Sequence, residues 1–287
     1  MANPSSEWWH DTTGARLNVR AWQPDGTPRA VVFLVHGLGE HGGRYVHVVE
    51  AMTAEGFTVV AYDLRGHGRS SGPRGHAASM GELVADLDAV IADAAGRVGR
   101  AARIIYGHSM GGAIALSHAL RFPDAAVARI VTGPAVRPAF VPPPWKVAFG
   151  RIARRLAPSF ALRNEIDPSG LSHDEAVVRA YRADPLVHDR VSSALGVGLL
   201  ELGDELLSLA PGLLAPVLVV HGDEDPITSA LASRQFAARA GKGCKYYGVP
   251  GSLHEVHHEA SWPDTWRVIS EWLDARLVSR AAAEPGR

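Results

Sequence analysis

Short apolar runs recur along the chain, separated by helix-sized segments. They are VVFLV at 31–35, TVVAY at 58–62, RIIY at 103–106, RIVT at 129–132, VLVV at 217–220 and KYYGV at 245–249, each bounded by turn residues. Continuous runs, unlike alternating ones, suit strands covered on both faces. They predict an α/β fold with a mostly parallel central sheet flanked by crossover helices. MGELVADLDAVIADAA at 80–95 places Leu83, Leu87, Val90 and Ile91 at helical spacing and predicts one such helix. ARLNVRAWQP at 15–24 alternates loosely and predicts an antiparallel edge strand ahead of the parallel set. SRAAAEPGR at 279–287 reads as a fraying tail.

One interval breaks this rhythm. From about Arg137 to Pro211 no run reads as a convincing strand, and the segment opens with RPAFVPPPWKVAFGRIARRLAP. Three successive prolines forbid a regular element there, and the flanking pieces read as short helices rich in Trp, Phe, Leu and Arg. The strand pattern resumes at APVLVVHG. An insertion between two strands of one sheet fits a lid over a site better than an independent fold. The expected organisation is therefore a core over 1–136, a cap over 137–211 and the rest of the core over 212–287.

Composition narrows the class without naming it. Apolar residues make up 46% and charged residues 21%, as in ordinary globular proteins. With 29 basic and 30 acidic side chains the net charge is −1, which offers no electrostatic case for nucleic acid. The single cysteine, Cys244, allows no internal disulfide or Cys-rich metal site and reads as buried packing. MANPSSEWWHD has neither the basic nor the apolar region of a signal peptide, and no apolar run is long enough to span a membrane. A soluble, cytoplasmic protein is expected.

The strongest motif is RIIYGHSMGGAIALSHAL. Gly107-His108-Ser109-Met110-Gly111 is G-x-S-x-G, placed directly between a predicted strand and a predicted helix. A serine on that turn is strained, and small residues two before and two after it avoid a clash. The helix start then aims free N–H groups at the serine. Such a nucleophile needs a base, an acid to orient it and donors for an oxyanion. In chain order the candidates are Asp225 in DEDPIT, with Asp223 as a rival, and His254 after KYYGVPGSL. Leu38, in the turn His36-Gly37-Leu38-Gly39, and Met110 are the candidate oxyanion donors. His36 and His108 read as hydrogen-bonded wall residues, and Asp63 and Arg65 of DLRGHGRS as ties between loops.

The same C-terminal region permits another chemistry. His254-Glu255-Val256-His257-His258 spells H-E-x-x-H, a zinc-peptidase pattern with Glu271 available as a third ligand. That pattern requires a regular helix. Pro250-Gly251-Ser252 immediately before it argues for a loop or a first turn instead.

At these residues the chain resembles the α/β-hydrolase superfamily, and within it the bacterial monoacylglycerol lipases. The resemblance runs through HGLGEHGGRY (36–45), DLRGHGRS (63–70), GHSMGG (107–112), ADPLV (183–187), HGDEDPIT (221–228) and GSLHEVHHE (251–259). It implies Ser109 as nucleophile, Asp225 as acid and His254 as base, with a head-group pocket at Glu40, Arg44 and His257. It also implies ester hydrolysis without cofactor or metal, a small lipid ester as substrate and a cap over the same interval that breaks the rhythm. No nucleic acid or partner protein is implied. Arg151, Arg154 and Arg155, beside Phe149 and Ile152, either touch a lipid interface or form the solvated face of a cap helix. Lysophospholipids and simple carboxylic esters would use the same triad, and a non-catalytic receptor on the same fold is the alternative from outside enzymology.

Overall fold

The computed structural model describes residues 3–99 and 101–283. Two antiparallel strands come first, β1 (Ser6–Thr12) and β2 (Ala15–Trp22). The parallel set starts with β3 (Ala30–Val35), β4 (Phe57–Tyr62), β5 (Arg103–His108) and β6 (Ala128–Thr132). A small separate hairpin follows, β7 (Ala161–Arg163) with β8 (Arg190–Ser192), and β9 (Val217–Gly222) and β10 (Cys244–Val249) complete the set. The large sheet has the order β1-β2-β4-β3-β5-β6-β9-β10. All its pairings from β4 to β10 are parallel. The strands β3, β4, β6 and β9 are buried at every position, which is why their sequences run apolar without alternation.

Helices cover both faces. On one lie α1 (Val46–Ala54) and α8 (Trp262–Ala283), with Val49, Met52, Ile269 and Leu273 in a core against Val32, Val59 and Ile130. On the other lie α2 (Met80–Val98) and α3 (Met110–Arg121), whose Leu83, Leu87 and Ile114 join a core with Val31, Phe33 and Val131. After β6 come α4 (Pro144–Leu156), α5 (Glu175–Ala183) and α6 (Ser193–Leu209), and α7 (Ala230–Ala240) joins β9 to β10.

Four details depart from the sequence reading. The strand at 15–22 is not the edge, because β1 pairs with it from outside. SEWWHDT mixes charge and indole on both faces, and Trp8 reaches across to donate to Asp93 of α2 at 2.7 Å. The interval from 137 to 211 contains the β7–β8 hairpin, whose three-residue strands are too short for any periodic signal. Pro144, the last of the three prolines, starts α4, where a missing N–H costs nothing. The expected fraying tail begins as helix, since α8 continues to Ala283, and 284–287 lie outside the described residues.

The interval between β6 and β9 is built in two parts. In α6, Leu195, Leu202, Leu206 and Leu207 are buried in the main core. Only Ala153 is buried in α4, and no residue of α5 is. Helix α4 rests on α6, with Gly150 against Val197. The outer part thus stands on a root that belongs to the core.

Candidate active site

Between β5 and α3 the chain turns on Ser109, held at φ 54° and ψ −117°, a backbone region that side chains other than glycine rarely adopt. The turn is so tight that a Cβ at Gly107 would lie 2.4 Å from the Gly111 carbonyl oxygen. A Cβ at Gly111 would lie 2.1 Å from that of Val35. Both spaced glycines are thus required by the local backbone. Ser109 is buried yet lines a small cavity with Gly37, Leu38, Glu40, His108 and His254. Met110 is the first residue of α3, so its N–H lacks an intrahelical acceptor.

The loop after β9 brings Asp225 to His254. Asp225 Oδ2 accepts from His254 Nδ1 and from Thr228 Oγ1, both at 2.7 Å, and lies 3.0 Å from His221 Nε2. Its Oδ1 accepts from the backbone N–H groups of Ile227 and Thr228 at 2.7 and 3.0 Å. Burial alone would raise the Asp225 pKa, but the imidazole charges and these hydrogen bonds hold it well below the usual carboxylate range. Burial would likewise lower that of His254, and the Asp225 carboxylate raises it instead. Asp223 is exposed and accepts from Gly251 N–H, so Asp225 is the carboxylate bonded to His254. His108 bonds Thr132, and its pKa is pushed down to about 3 by burial and by the facing His254, which leaves it neutral.

The turn after β3 is fixed from both sides. Leu64 N–H donates to His36 Nε2 at 2.9 Å, so Nε2 is an acceptor and the proton sits on Nδ1. That Nδ1 donates to the Gly37 carbonyl at 2.8 Å. Burial keeps the His36 pKa below its ordinary value, consistent with this neutral tautomer. The peptide is planar, so anchoring the Gly37 carbonyl turns the Leu38 N–H to the opposite side. From the other direction Gly37 N–H donates to Glu40 Oε1 at 2.6 Å.

Glu40 begins a buried chain of charge. Its Oε1 also accepts from Tyr45 OH at 2.6 Å, and its Oε2 from Arg44 Nη1 at 2.5 Å. Arg44 grips Glu255 with Nη1 at 2.5 Å and Nη2 at 2.8 Å, and Glu255 Oε2 accepts from His258 Nδ1 at 2.7 Å. The Arg44 guanidinium overcomes the effect of burial and holds both carboxylates below their ordinary pKa. Glu255 adjoins His254, so the chain links the Gly37–Leu38 turn to the histidine loop. From the outer helices' side, Gly170 and Leu171 carbonyls accept from His254 and Glu255 N–H.

The H-E-x-x-H stretch forms a loop followed by the short 3-10 turn Val256–His258. Its two outer histidines bond different carboxylates, His254 to Asp225 and His258 to Glu255. Among the described residues, the cluster with ligand-like spacing is Glu255, His257 and His258, within 4.8 Å of one another. The bidentate Arg44 guanidinium already occupies Glu255, a poor start for a second cation. His257 is buried behind the cavity and does not line it. It stacks on Tyr45 at 4.8 Å, and neither ring nitrogen has a hydrogen-bond partner among the described residues. Arg44 is also behind the wall, under Tyr181 at 4.7 Å. Cys244 is buried, which pushes its thiol up to about 12.

Several lining residues carried no signal in the sequence. Ile166, Leu171 and Tyr181 reach the cavity from the interval between β6 and β9, and Glu255, marked in the sequence only as part of H-E-x-x-H, does so from beside His254. Thr228 follows Asp225 in DPIT and secures it through both its N–H and its hydroxyl. Nothing short of the fold identifies such neighbours.

Residues 26–261 match the family described as serine aminopeptidase, S33. The chain is 37% identical over 266 residues to a monoacylglycerol lipase of Mycolicibacterium smegmatis, covering 92% of this chain and 95% of that protein. It is 38% identical over 274 residues to an uncharacterized abhydrolase domain-containing protein of Dictyostelium discoideum, and spans 29% of that longer chain. In structure it is similar to the monoacylglycerol lipase of Paleococcus ferrophilus, with a TM-score of 0.83 and 34% identity over 91% of this chain and 99% of that one.

Proposed function

The chain belongs to the serine aminopeptidase S33 family of α/β-hydrolases, and on that premise we propose that it hydrolyses monoacylglycerols to glycerol and fatty acid through an acyl-enzyme on Ser109. It is a carboxylic ester hydrolase. The observation that carries the reading is a strained serine at a helix start, in one cavity with a histidine whose Nδ1 is held by a buried carboxylate.

Each step follows from those positions. With its proton on Nδ1 and bonded to Asp225, His254 presents Nε2 as the base that takes the Ser109 hydroxyl proton. Ser109 Oγ attacks the ester carbonyl, and the Leu38 and Met110 N–H groups receive the negative oxygen. His254 then protonates the leaving alcohol, and water repeats the cycle to free the fatty acid. Asp225 stays ionised throughout, because its carboxylate accepts five contacts from donors fixed by the fold.

The alcohol end of the cavity is bounded by Glu40, Glu255 and Tyr181, with Arg44 and His257 supporting that wall from behind. Glu40 and Glu255 each make three hydrogen bonds to the protein, leaving about one of four lone-pair sites for a substrate hydroxyl. Two carboxylates against one guanidinium leave this end acidic, which would also attract the ammonium of a peptide substrate. Activity on an aminoacyl anilide is therefore the second reading to test.

The cavity holds only about 20 Å³, little more than a water molecule, so substrate enters when the part of the 137–211 cap outside α6 moves. Helix α6 is its fixed root, and α4 presents Trp145, Phe149, Ile152 and Leu156 to solvent as an apolar face for a lipid surface. No described helix is long and apolar enough to cross a membrane.

The test joins labelling to turnover. A fluorophosphonate should modify Ser109, and a panel of monoacylglycerol, p-nitrophenyl ester and aminoacyl anilide should show release from the esters. Labelling without ester turnover would overturn the reading, as would turnover of the anilide alone.

A further inference from the structure

Beyond the reaction cavity lies a larger cleft of about 610 Å³, and the two share Ile166 and Tyr181 as a common wall. Four arginines line it, Arg74, Arg163, Arg182 and Arg190, against the two carboxylates of Asp184 and Asp189. Arg74 makes no hydrogen bond or ion pair with any described residue. Arg182 and Arg190 reach carboxylates only at 3.9 and 3.8 Å, beyond hydrogen-bond length. Asn164, on the same wall, uses its Oδ1 to accept from Ile166 N–H, while its buried Nδ2 has no acceptor among the described residues. Arg163 is bonded to Asp189 and Asp184 to His41, so the spare positive charge of the cleft rests on Arg74, Arg182 and Arg190, in a protein whose overall charge is −1.

The cleft lies close behind the turn that carries Leu38. His188, one of its lining residues, donates its N–H to the Gly39 carbonyl at 2.8 Å. An ester bound with its carbonyl at Ser109 and its alcohol beside Tyr181 has this cleft as the continuation of its alcohol side. An alcohol extended by an ionised oxyacid would reach it.

We propose that the arginine cleft is a subsite for the phosphate of an anionic lysolipid, so that 1-acyl-glycerol 3-phosphates form a second substrate class. The proposal rests on the ester-hydrolase reading of Ser109 and extends it. The chemistry is unchanged. Water and the lysolipid give fatty acid and glycerol 3-phosphate, the acyl C–O bond breaks, and the leaving alcohol takes its proton from His254. The arginines bind phosphate oxygens by charge-assisted hydrogen bonds.

The experiment uses short-acyl substrates below their micelle concentration, so that no lipid surface contributes. We measure kcat/KM for a 1-acyl-glycerol 3-phosphate and for the monoacylglycerol of the same chain in the wild type, Arg74→Ala and Arg190→Ala. Both substrates should be cleaved, and the anionic-to-neutral ratio should fall roughly tenfold in each variant, the loss expected for one charge-assisted contact. Free glycerol 3-phosphate should inhibit monoacylglycerol hydrolysis competitively and do so several-fold more weakly in Arg74→Ala. Cleavage of the neutral ester alone, or a ratio that neither variant moves, overturns the proposal and leaves the ester reading intact. Cleavage of neither ester overturns the ester reading itself. If anionic vesicles accelerate monoacylglycerol hydrolysis through these arginines while the soluble ratio stays unmoved, the cleft faces a membrane and the proposal fails.

Discussion

The Arg44 clasp and the arginine cleft are both charged regions bordering the cavity that Ser109 lines, and they differ in how completely their polar groups are paired. In the clasp one guanidinium satisfies two carboxylates, which in turn hold Gly37 N–H, Tyr45 OH and His258. In the cleft four guanidiniums face two carboxylates, and the Arg74 guanidinium has no hydrogen-bond or ion-pair partner among the described residues. Polar groups satisfied within the protein fix geometry. Groups left over are available to a ligand. On this reading Glu40 acts chiefly as a positioning residue for the oxyanion turn, and discrimination between head groups moves outward to the cap.

Removing the proposed nucleophile sets the reference for both regions. Ser109→Ala should lower kcat roughly 10⁴-fold or more on neutral and anionic esters together, since each region serves the same serine. A head group that escaped this loss in steady-state assays would mean a second reaction centre.

The next effect falls on the clasp alone. Arg44→Met leaves Glu40 and Glu255 buried without their cation, and breaking such a pair costs about 3–5 kcal/mol. The sign with pH follows from the two carboxylates, whose folded pKa values are depressed by Arg44. Their stabilisation is present above the unfolded pKa, about 4.3, and is lost as pH falls through the depressed folded values. Thermal unfolding should therefore show the largest gap between wild type and variant near neutrality, closing as the pH drops into the acid range. Equivalent substitutions of Arg74 or Arg190 in the cleft should leave the melting temperature nearly unchanged.

The pH profile isolates the histidine from both regions. Asp225 raises the His254 pKa, so the protonated, inactive imidazole persists above about 6.5. The acid limb of kcat/KM should lie above that value on every substrate. In Asp225→Asn the residual activity should show its limb moved to lower pH, because the carboxylate that raises the pKa is gone.

The smallest effect concerns the exposed apolar face of α4 in the proposed cap. Trp145 and Phe149 are 67% and 47% exposed, respectively, on α4. Trp145→Ser with Phe149→Ser should slow hydrolysis of monoacylglycerol in vesicles severalfold and spare a soluble short-chain ester. Equal slowing of both would place the two aromatics in the substrate path instead.

How much of this could be read without the fold depended on the range of the interactions. The buried strands announced themselves because β3, β4 and β9 are covered on both faces, and the serine turn because its glycines are demanded by contacts within a few residues and one neighbouring strand. Asp225 and His254 were candidates because each follows a strand, at the sheet edge where loops converge. Long-range relations were invisible. Arg44 and Glu255 stand 211 positions apart, and no local pattern records that they are bonded. Glu40 and Arg44 suggested a head-group pocket by resemblance, while the hydrogen bonds that occupy them emerge only in three dimensions. The same holds for α6, which the sequence assigned with the cap and whose leucines are buried in the main core. The cleft was equally hidden, since Arg74 comes from the loop after β4 and its companions from beyond β6.

The division between a positioning clasp and a reading cleft is tested most directly by Glu40→Ala. The measurement is kcat and KM on a monoacylglycerol and on a p-nitrophenyl ester of the same acyl chain, in a variant shown to be folded. Freeing Gly37 N–H loosens the Leu38 donor, and loss of an oxyanion donor costs roughly 10²–10³ in kcat. The account predicts losses in kcat of about that order on both esters, equal within a few-fold, with KM little changed and partial recovery in Glu40→Gln. A large loss on the monoacylglycerol beside near-normal turnover of the p-nitrophenyl ester would contradict it and make Glu40 a reader of glycerol.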